Sequence, residues 1–183
     1  MMTQLPEDEQ IRILGVKYEI PAYEARHRLA GGTRYMDLDK AAFYAWAAET
    51  TIDGVLALRK EKPWGIIERE LGLNAERLEM ARALFRARCM KRWWGFDEAR
   101  TYAALGAGYP MHWVKVAWLL SEKGGMKMED ILKNRKRTQK WGEWAEENLH
   151  IPAGEVMALI KGHRNPSLSV KMNFKYCNFK KNY

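Results

Sequence analysis

The sequence has little cysteine, no long apolar run and no leader-like start. Its two cysteines, Cys89 and Cys177, lie far apart, so neither a disulfide framework nor a CxxC pair is available. The acidic first ten residues lack the apolar stretch of a signal peptide, and no apolar run is long enough to cross a bilayer. We therefore expect a cytoplasmic protein that does not enter a membrane.

Signatures of catalysis are missing as well. There is no GxxxxGKS or GxxxxGKT loop, no GxGxxG turn after a strand and no HExxH pair. Cys89 lies in an Arg-rich segment that can lower a thiol pKa, but a partly buried, inert thiol is the commoner case. The four histidines show no metal-ligand spacing: His27, His112, His150 and His163. We predict a non-enzymatic protein with no catalytic residue, no metal site and no cofactor.

Positive charge and tryptophan are abundant. The 183 residues include 31 Lys and Arg against 23 Asp and Glu, which gives a net charge of +8, and eight tryptophans. An excess of positive charge favours polyanionic partners such as nucleic acid. The large indole rings are more often packing anchors than binding groups.

Helix signals run through most of the chain. In the segment after Pro110, the apolar residues Trp113, Val116, Ala117 and Leu120 follow helical spacing. Glycines at 106, 108, 124 and 125 are placed to end helices, and Asp37 is a candidate N-cap for the helix through Trp46. Because no segment before residue 165 alternates like a strand, the predicted fold class is all-α.

The sequence also contains two diverged copies of one multi-helix unit. Residues 24–35 align with 98–109, residues 53–60 with 129–136, and the Trp-Gly pair at 64–65 with that at 141–142. Single units would leave apolar stripes exposed, so we expect the copies to pack on one shared core. The predicted domains are a first repeat over 1–92, a second over 93–162 and a basic aromatic tail over 163–183.

A recurring pattern carries a resemblance to a known repeat. It consists of a Gly-Tyr turn, an IL-x-LR helix and a GWG-x-IA-x-ELG segment. In this pattern, residues 13–160 resemble a tandem helical repeat that occurs in bacterial proteins of unassigned function. The resemblance implies architecture and brings no activity with it.

The paired helices that end each copy indicate a possible mode of nucleic-acid binding. Residues 64–84 resemble a helix-turn-helix, whose second helix can enter the major groove. That second helix and its continuation carry six candidate phosphate contacts: Arg77, Arg82, Arg86, Arg88, Lys91 and Arg92. The match has departures, because Glu68 replaces the usual small residue and Glu76 and Glu79 would repel phosphate.

A second basic block joins two helices of the second copy. It contains no acidic residue, and its members are Lys133, Arg135, Lys136, Arg137 and Lys140. Such runs are more often solvated connectors than binding sites. In the same copy, Ala145 supplies the small residue expected in a helix-turn-helix, but the helix after 152 has almost no basic surface.

The tail differs from the rest of the chain, because apolar and polar residues alternate strictly from Leu168 to Tyr176. This is a strand pattern, and three alternatives stay open: pairing with a second copy of the chain as a homo-oligomer, docking on the helices, or a loose basic tail. The predicted function is nucleic-acid (DNA) binding. The alternative is a helical module that binds a protein partner.

Overall fold

A computed structural model describes residues 5–167 of the chain. These residues form eleven α-helices and no strand, which confirms the predicted all-α class. The alternating tail from Leu168 lies outside the described residues. In chain order the helices are α1 (Glu7–Tyr18), α2 (Ala22–Ala30), α3 (Tyr35–Ala47), α4 (Ile52–Glu61), α5 (Trp64–Glu70), α6 (Ala75–Trp94), α7 (Glu98–Gly106), α8 (Met111–Gly124), α9 (Met128–Asn134), α10 (Trp141–Leu149) and α11 (Ala153–Gly162).

The helices group into two compact units. The first contains residues 5–74 and 165–167 of the described chain, and the second is Ala75–Arg164. The dividing line falls before α6, whereas the sequence placed the end of the first repeat at residue 92, which is inside α6. Because α6 is continuous, the compact units and the predicted repeats divide the chain differently.

The first unit comprises helices α1 to α5. Leu14, Ala25 and Leu38 have no exposed surface and form part of its hydrophobic cluster. Residues 165–167 belong here, and the Arg12 guanidinium donates to the Pro166 carbonyl at 2.6 Å. Asp37 does not cap α3 as expected: the helix begins two residues earlier, with Arg34 as its N-cap. Asp37 therefore lies in the first turn and has its carboxylate available for other partners.

The second unit comprises α6 to α11 around a larger cluster. Its centre holds Met90, Val114, Leu120, Ile131 and Val156, all with no exposed surface. The helix ends follow the predicted glycines, since Gly125 caps α8 in the left-handed conformation with φ +73°. Burial of this apolar surface is the main force that orders the unit.

Local features of the first unit recur 76 residues later in the second as far as α4 and α9, whereas α5 and α10 begin 77 residues apart. Helix α2 spans Ala22–Ala30 and α7 spans Glu98–Gly106, and the turns that follow contain Gly32 and Gly108, each with φ +88°. The left-handed residues Glu19 and Gly95, which follow α1 and α6, show the same spacing. If the two units are a duplication, Gly32 pairs with Gly108. The sequence alignment paired Gly32 with Gly106 instead, but Gly106 is still part of helix α7.

Candidate functional site

The arginine row predicted on the first helix-turn-helix lies on α6. Its two predicted helices, α5 and the start of α6, belong to different compact units. Arg77, Arg88, Lys91 and Arg92 are exposed, whereas Arg82 and Arg86 are half-buried.

Part of the charge of this row is neutralised within the second unit. The Glu98 carboxylate pairs with the Arg88 guanidinium at 3.2 Å and with the Lys91 amine at 3.4 Å. An ion pair shared in this way reduces the charge that α6 presents to a polyanion. The predicted row is therefore present on one helix, but it is not a row of six uncompensated cations.

Glu68, the residue that departs from the helix-turn-helix pattern, has a structural explanation within the first unit. Its carboxylate accepts a hydrogen bond from the Tyr44 hydroxyl and pairs with the Lys40 amine at 3.3 Å. Both partners lie on α3. The glutamate thus joins α5 to α3, a contact that a small residue could not make.

The second basic block lies at the end of α9 and in the loop that leads to α10. Lys133, Lys136, Arg137 and Lys140 are exposed. The Lys140 amine is 3.1 Å from the Glu143 carboxylate, a surface pair of small energetic value because both groups are well hydrated. Lys133, Lys136 and Arg137 have no ion pair with any described residue. These three cations are therefore available to an anionic partner.

Arg135 differs from the rest of the block because its side chain is buried. Only 8% of its surface is exposed. The guanidinium carbon lies 4.2 Å from the centre of the Trp113 ring and 4.0 Å from that of Trp141. The two rings are nearly perpendicular, with centres 5.8 Å apart and planes at 79°, so the guanidinium lies in the corner between them. We call these three residues the arginine–indole cluster. Burial lowers the pKa of Arg135 from its ordinary value, yet a guanidinium stays charged at neutral pH.

The corresponding place in the first unit has a different composition. Arg59 lies 76 residues before Arg135, and its guanidinium is 5.4 Å from the Trp64 ring. Here an acid completes the group: the Asp37 carboxylate accepts from Arg59 at 3.4 Å and from the Trp64 indole N–H at 3.2 Å. The position that corresponds to Asp37 is Trp113. The second unit therefore has an indole where the first has the counter-charge.

Net charge also differs between the units. Residues 75–164 contain 17 Lys and Arg against 11 Asp and Glu, whereas residues 5–74 contain 10 against 12. The remaining four basic residues lie beyond Ser167. Within the described chain, the positive charge that favours a polyanionic partner is thus concentrated in the second unit.

The helix pair α10–α11 contains the second predicted helix-turn-helix. The two helices approach closely, because a Cβ atom added to Gly142 would be 2.9 Å from the Cβ of Ala153. Ala145, the predicted small residue, has no exposed surface. Helix α11 carries only Glu155 and Lys161 as charged residues, so it has little basic surface to present to DNA.

Among residues 5–167, no cluster of three or more His, Cys, Asp and Glu residues could hold a metal ion. Cys89 is buried. An open groove of about 900 Å³ in the second unit is lined partly by Phe96, Tyr102 and Trp118. None of the eleven helices is both long and apolar enough to span a membrane.

Comparison with protein-family models, with curated proteins and with solved structures gives no match for this chain. The resemblance to a bacterial helical repeat, the duplication and the cytoplasmic location therefore stay predictions. The residue that sequence reasoning missed is Trp113, which it placed only on the apolar face of a helix. No local signal marks it, because Trp113 contacts Arg135 only when α8 and the residues after α9 pack together.

Proposed function

We propose that this chain is a non-enzymatic, cytoplasmic nucleic-acid-binding protein whose second unit contacts phosphates. The observation that carries the proposal is the basic loop, which we define as residues 133–140. In this loop, the side chains of Lys133, Lys136 and Arg137 are exposed and form no ion pair with a described residue. The sequence has no acidic residue between 131 and 142. Such a run can neutralise several backbone phosphates and release their counterions.

The arrangement favours contacts to the backbone over reading of bases. Helix α11, which would enter the major groove in a helix-turn-helix, has a single lysine in its span. Phosphate contacts fix the position of a protein on nucleic acid but carry no sequence information. We therefore expect binding with little sequence preference.

Fluorescence anisotropy with labelled 30-nucleotide single strands and 30-base-pair duplexes, over a salt series, tests the proposal. The variant Lys136→Gln/Arg137→Gln removes two loop cations, and Lys60→Gln/Arg69→Gln removes two exposed cations from the first unit. Two lost phosphate contacts should weaken binding about tenfold or more at 50 mM salt and reduce the salt slope by about 2. The control should bind nearly as the wild type does.

Two results would contradict the proposal. One is the absence of binding by the wild type at 50 mM salt. The other is equal loss in the loop variant and in its control, since net charge alone would then explain the binding. A chain that ends at Ser167 keeps the described contacts and shows how much the tail contributes.

The alternative, a helical module for a protein partner, is favoured by exposed apolar side chains. Tyr23 and Met36 in the first unit are about 70% exposed, and Met80 and Met157 in the second are at least half exposed. A contact surface would require such side chains to lie side by side within one unit. Binding through them would change little between 50 and 300 mM salt, which separates this candidate from phosphate binding.

A further inference from the structure

The guanidinium of Arg135 is a buried charge with no carboxylate partner among residues 5–167. Its Nε and Nη1 atoms are buried and have no hydrogen-bond partner in this part of the chain. A buried charge of this kind is costly unless its surroundings replace the lost hydration. Here the faces of Trp113 and Trp141 supply that replacement, because the electron-rich face of an indole attracts a cation.

Arg135 also closes the basic loop. Its Nη2 donates to the backbone carbonyl of Gln139, while the Gln139 N–H donates to the Lys136 carbonyl at 3.1 Å. The Gln139 side chain in turn donates to the Glu147 carboxylate of α10 at 2.9 Å. The turn that contains Lys136 and Arg137 is thus held by the guanidinium of the arginine–indole cluster and by Glu147 of α10.

The corresponding place in the first unit differs in charge. There the Asp37 carboxylate is a counter-charge that Arg59 shares with Arg34. At the corresponding position the second unit has an indole, which contacts the guanidinium and supplies no counter-charge. The charge of Arg135 consequently adds to the positive potential of the loop that it closes.

We infer that Arg135 is a positioning residue, which holds the basic loop in one conformation for phosphate binding without contacting phosphate itself. The effect of Arg135 on affinity rests on the proposed function, whereas the ordering of the loop is a property of the protein without nucleic acid. A loop that is ordered before binding loses less conformational entropy on binding. Arg135 therefore affects affinity through the loop, and the phosphate contacts come from its exposed neighbours.

The test compares the wild type with Arg135→Met and Arg135→Lys in the full-length chain. Met removes the charge and keeps most of the packing volume, whereas Lys keeps the charge but lacks the planar fork that stacks on rings. Trypsin digestion without nucleic acid measures the order of the loop, by the rate of cleavage after Lys136 and Arg137. Cleavage after Lys60, in the first unit, is the internal control.

We expect cleavage in the loop to be about tenfold faster in both variants, with cleavage after Lys60 unchanged. Thermal stability of Arg135→Met should be equal to that of the wild type or higher, since replacing a buried charge by an apolar group is often neutral or stabilising. Affinity for the 30-nucleotide strand should fall about three- to tenfold. The salt slope should stay the same, because the same phosphates are contacted in the complex.

Several outcomes would overturn the inference. A salt slope reduced by about 1 would make Arg135 a direct phosphate contact. Unchanged cleavage in both variants would show that Arg135 does not order the loop. If the wild type binds no nucleic acid, the proposed function fails and the positioning role in binding fails with it, whereas faster cleavage would still establish that Arg135 orders the loop. If Arg135→Met does not fold, the same measurements on Arg135→Lys decide.

Discussion

Removal of the Asp37 carboxylate is the sharpest test of the first unit's charged group. The carboxylate accepts from the indole N–H of Trp64 at 3.2 Å and from Arg59 at 3.4 Å, and it is only 14% exposed. It also pairs at 2.7 Å with Arg34, but that side chain is 72% exposed, so this pair contributes little. In Asp37→Ala, the half-buried indole N–H loses its acceptor and Arg59 loses its counter-charge.

The expected cost follows from these two losses. An unsatisfied, partly buried donor costs about 1–3 kcal/mol, and loss of the Arg59 pair at 30% exposure adds at most about 1 kcal/mol. We expect Asp37→Ala to lower the free energy of unfolding by about 2 kcal/mol at pH 7. Asp37→Asn keeps an oxygen that can accept from the indole, so it should cost about half as much.

The effect should depend on pH. Burial alone would raise the pKa of Asp37, but the hydrogen bonds from Arg34, Trp64 and Arg59 outweigh it and hold the pKa below its ordinary value. The carboxylate is therefore more acidic in the folded than in the unfolded protein. Its contribution to stability is complete above the unfolded pKa of about 4 and is lost as the pH falls through the folded pKa. The difference between wild type and variant should accordingly shrink below pH 4.

Urea unfolding followed by far-ultraviolet circular dichroism, at pH 7 and pH 3, measures both effects. The control is Asp53→Ala, which removes an exposed carboxylate that pairs with Arg28 at 3.0 Å. Such a surface pair should cost less than about 1 kcal/mol. The reasoning is refuted if Asp37→Ala costs no more than the control, or if its cost is the same at pH 3 as at pH 7.

Two further predictions concern packing and surface charge in the second unit. Gly142→Ala should lower the free energy of unfolding by about 1–2 kcal/mol, because the new Cβ would be 2.9 Å from Ala153. Gly65 is at the matching place in α5 and has no atom near its would-be Cβ. Gly65→Ala should therefore raise the free energy of unfolding by up to about 1 kcal/mol. Equal effects of the two substitutions in urea unfolding would exclude the packing argument. Hydrogen bonds from Arg100 lower the pKa of Glu129 to about 2, so its carboxyl carbon should titrate near pH 2 in an NMR series. Titration near the ordinary pKa of 4.5 would show that the ion pair does not persist in solution.

Helix positions were accessible from the sequence because glycine and apolar periodicity signal them locally. Gly125 ends α8 and Gly108 ends the turn after α7, both with positive φ, as a residue without Cβ allows. Register was harder to predict. The identical letters Glu-Ala-Arg at 24–26 and 98–100 suggested a spacing of 74, but the buried residues of α2 and α7 include Ala25 and Thr101, which are 76 apart. Sequence identity shows which residue types recur, whereas burial shows which face of each helix packs against the core.

The candidate site was predictable as a basic segment but not as an arrangement. A run of five bases suggests that all five are solvated, since isolated charges avoid the interior. Arg135 breaks that rule because two indoles, 22 residues before it and six after it, contact its guanidinium from two directions. The arginine–indole cluster requires α8, α9 and α10 to be folded, so no local pattern could reveal it.

The contrast between Arg59 and Arg135 links the fold to the proposed function. Arg59 lies in the last turn of α4 and Arg135 directly follows α9. Each arginine lies against the tryptophan that begins the next helix. The first has the Asp37 carboxylate as a counter-charge. The second contacts Trp113 instead and keeps its charge beside Lys136 and Arg137. Under the proposed function, this difference between acid and indole is one reason why the loop of the second unit suits phosphates.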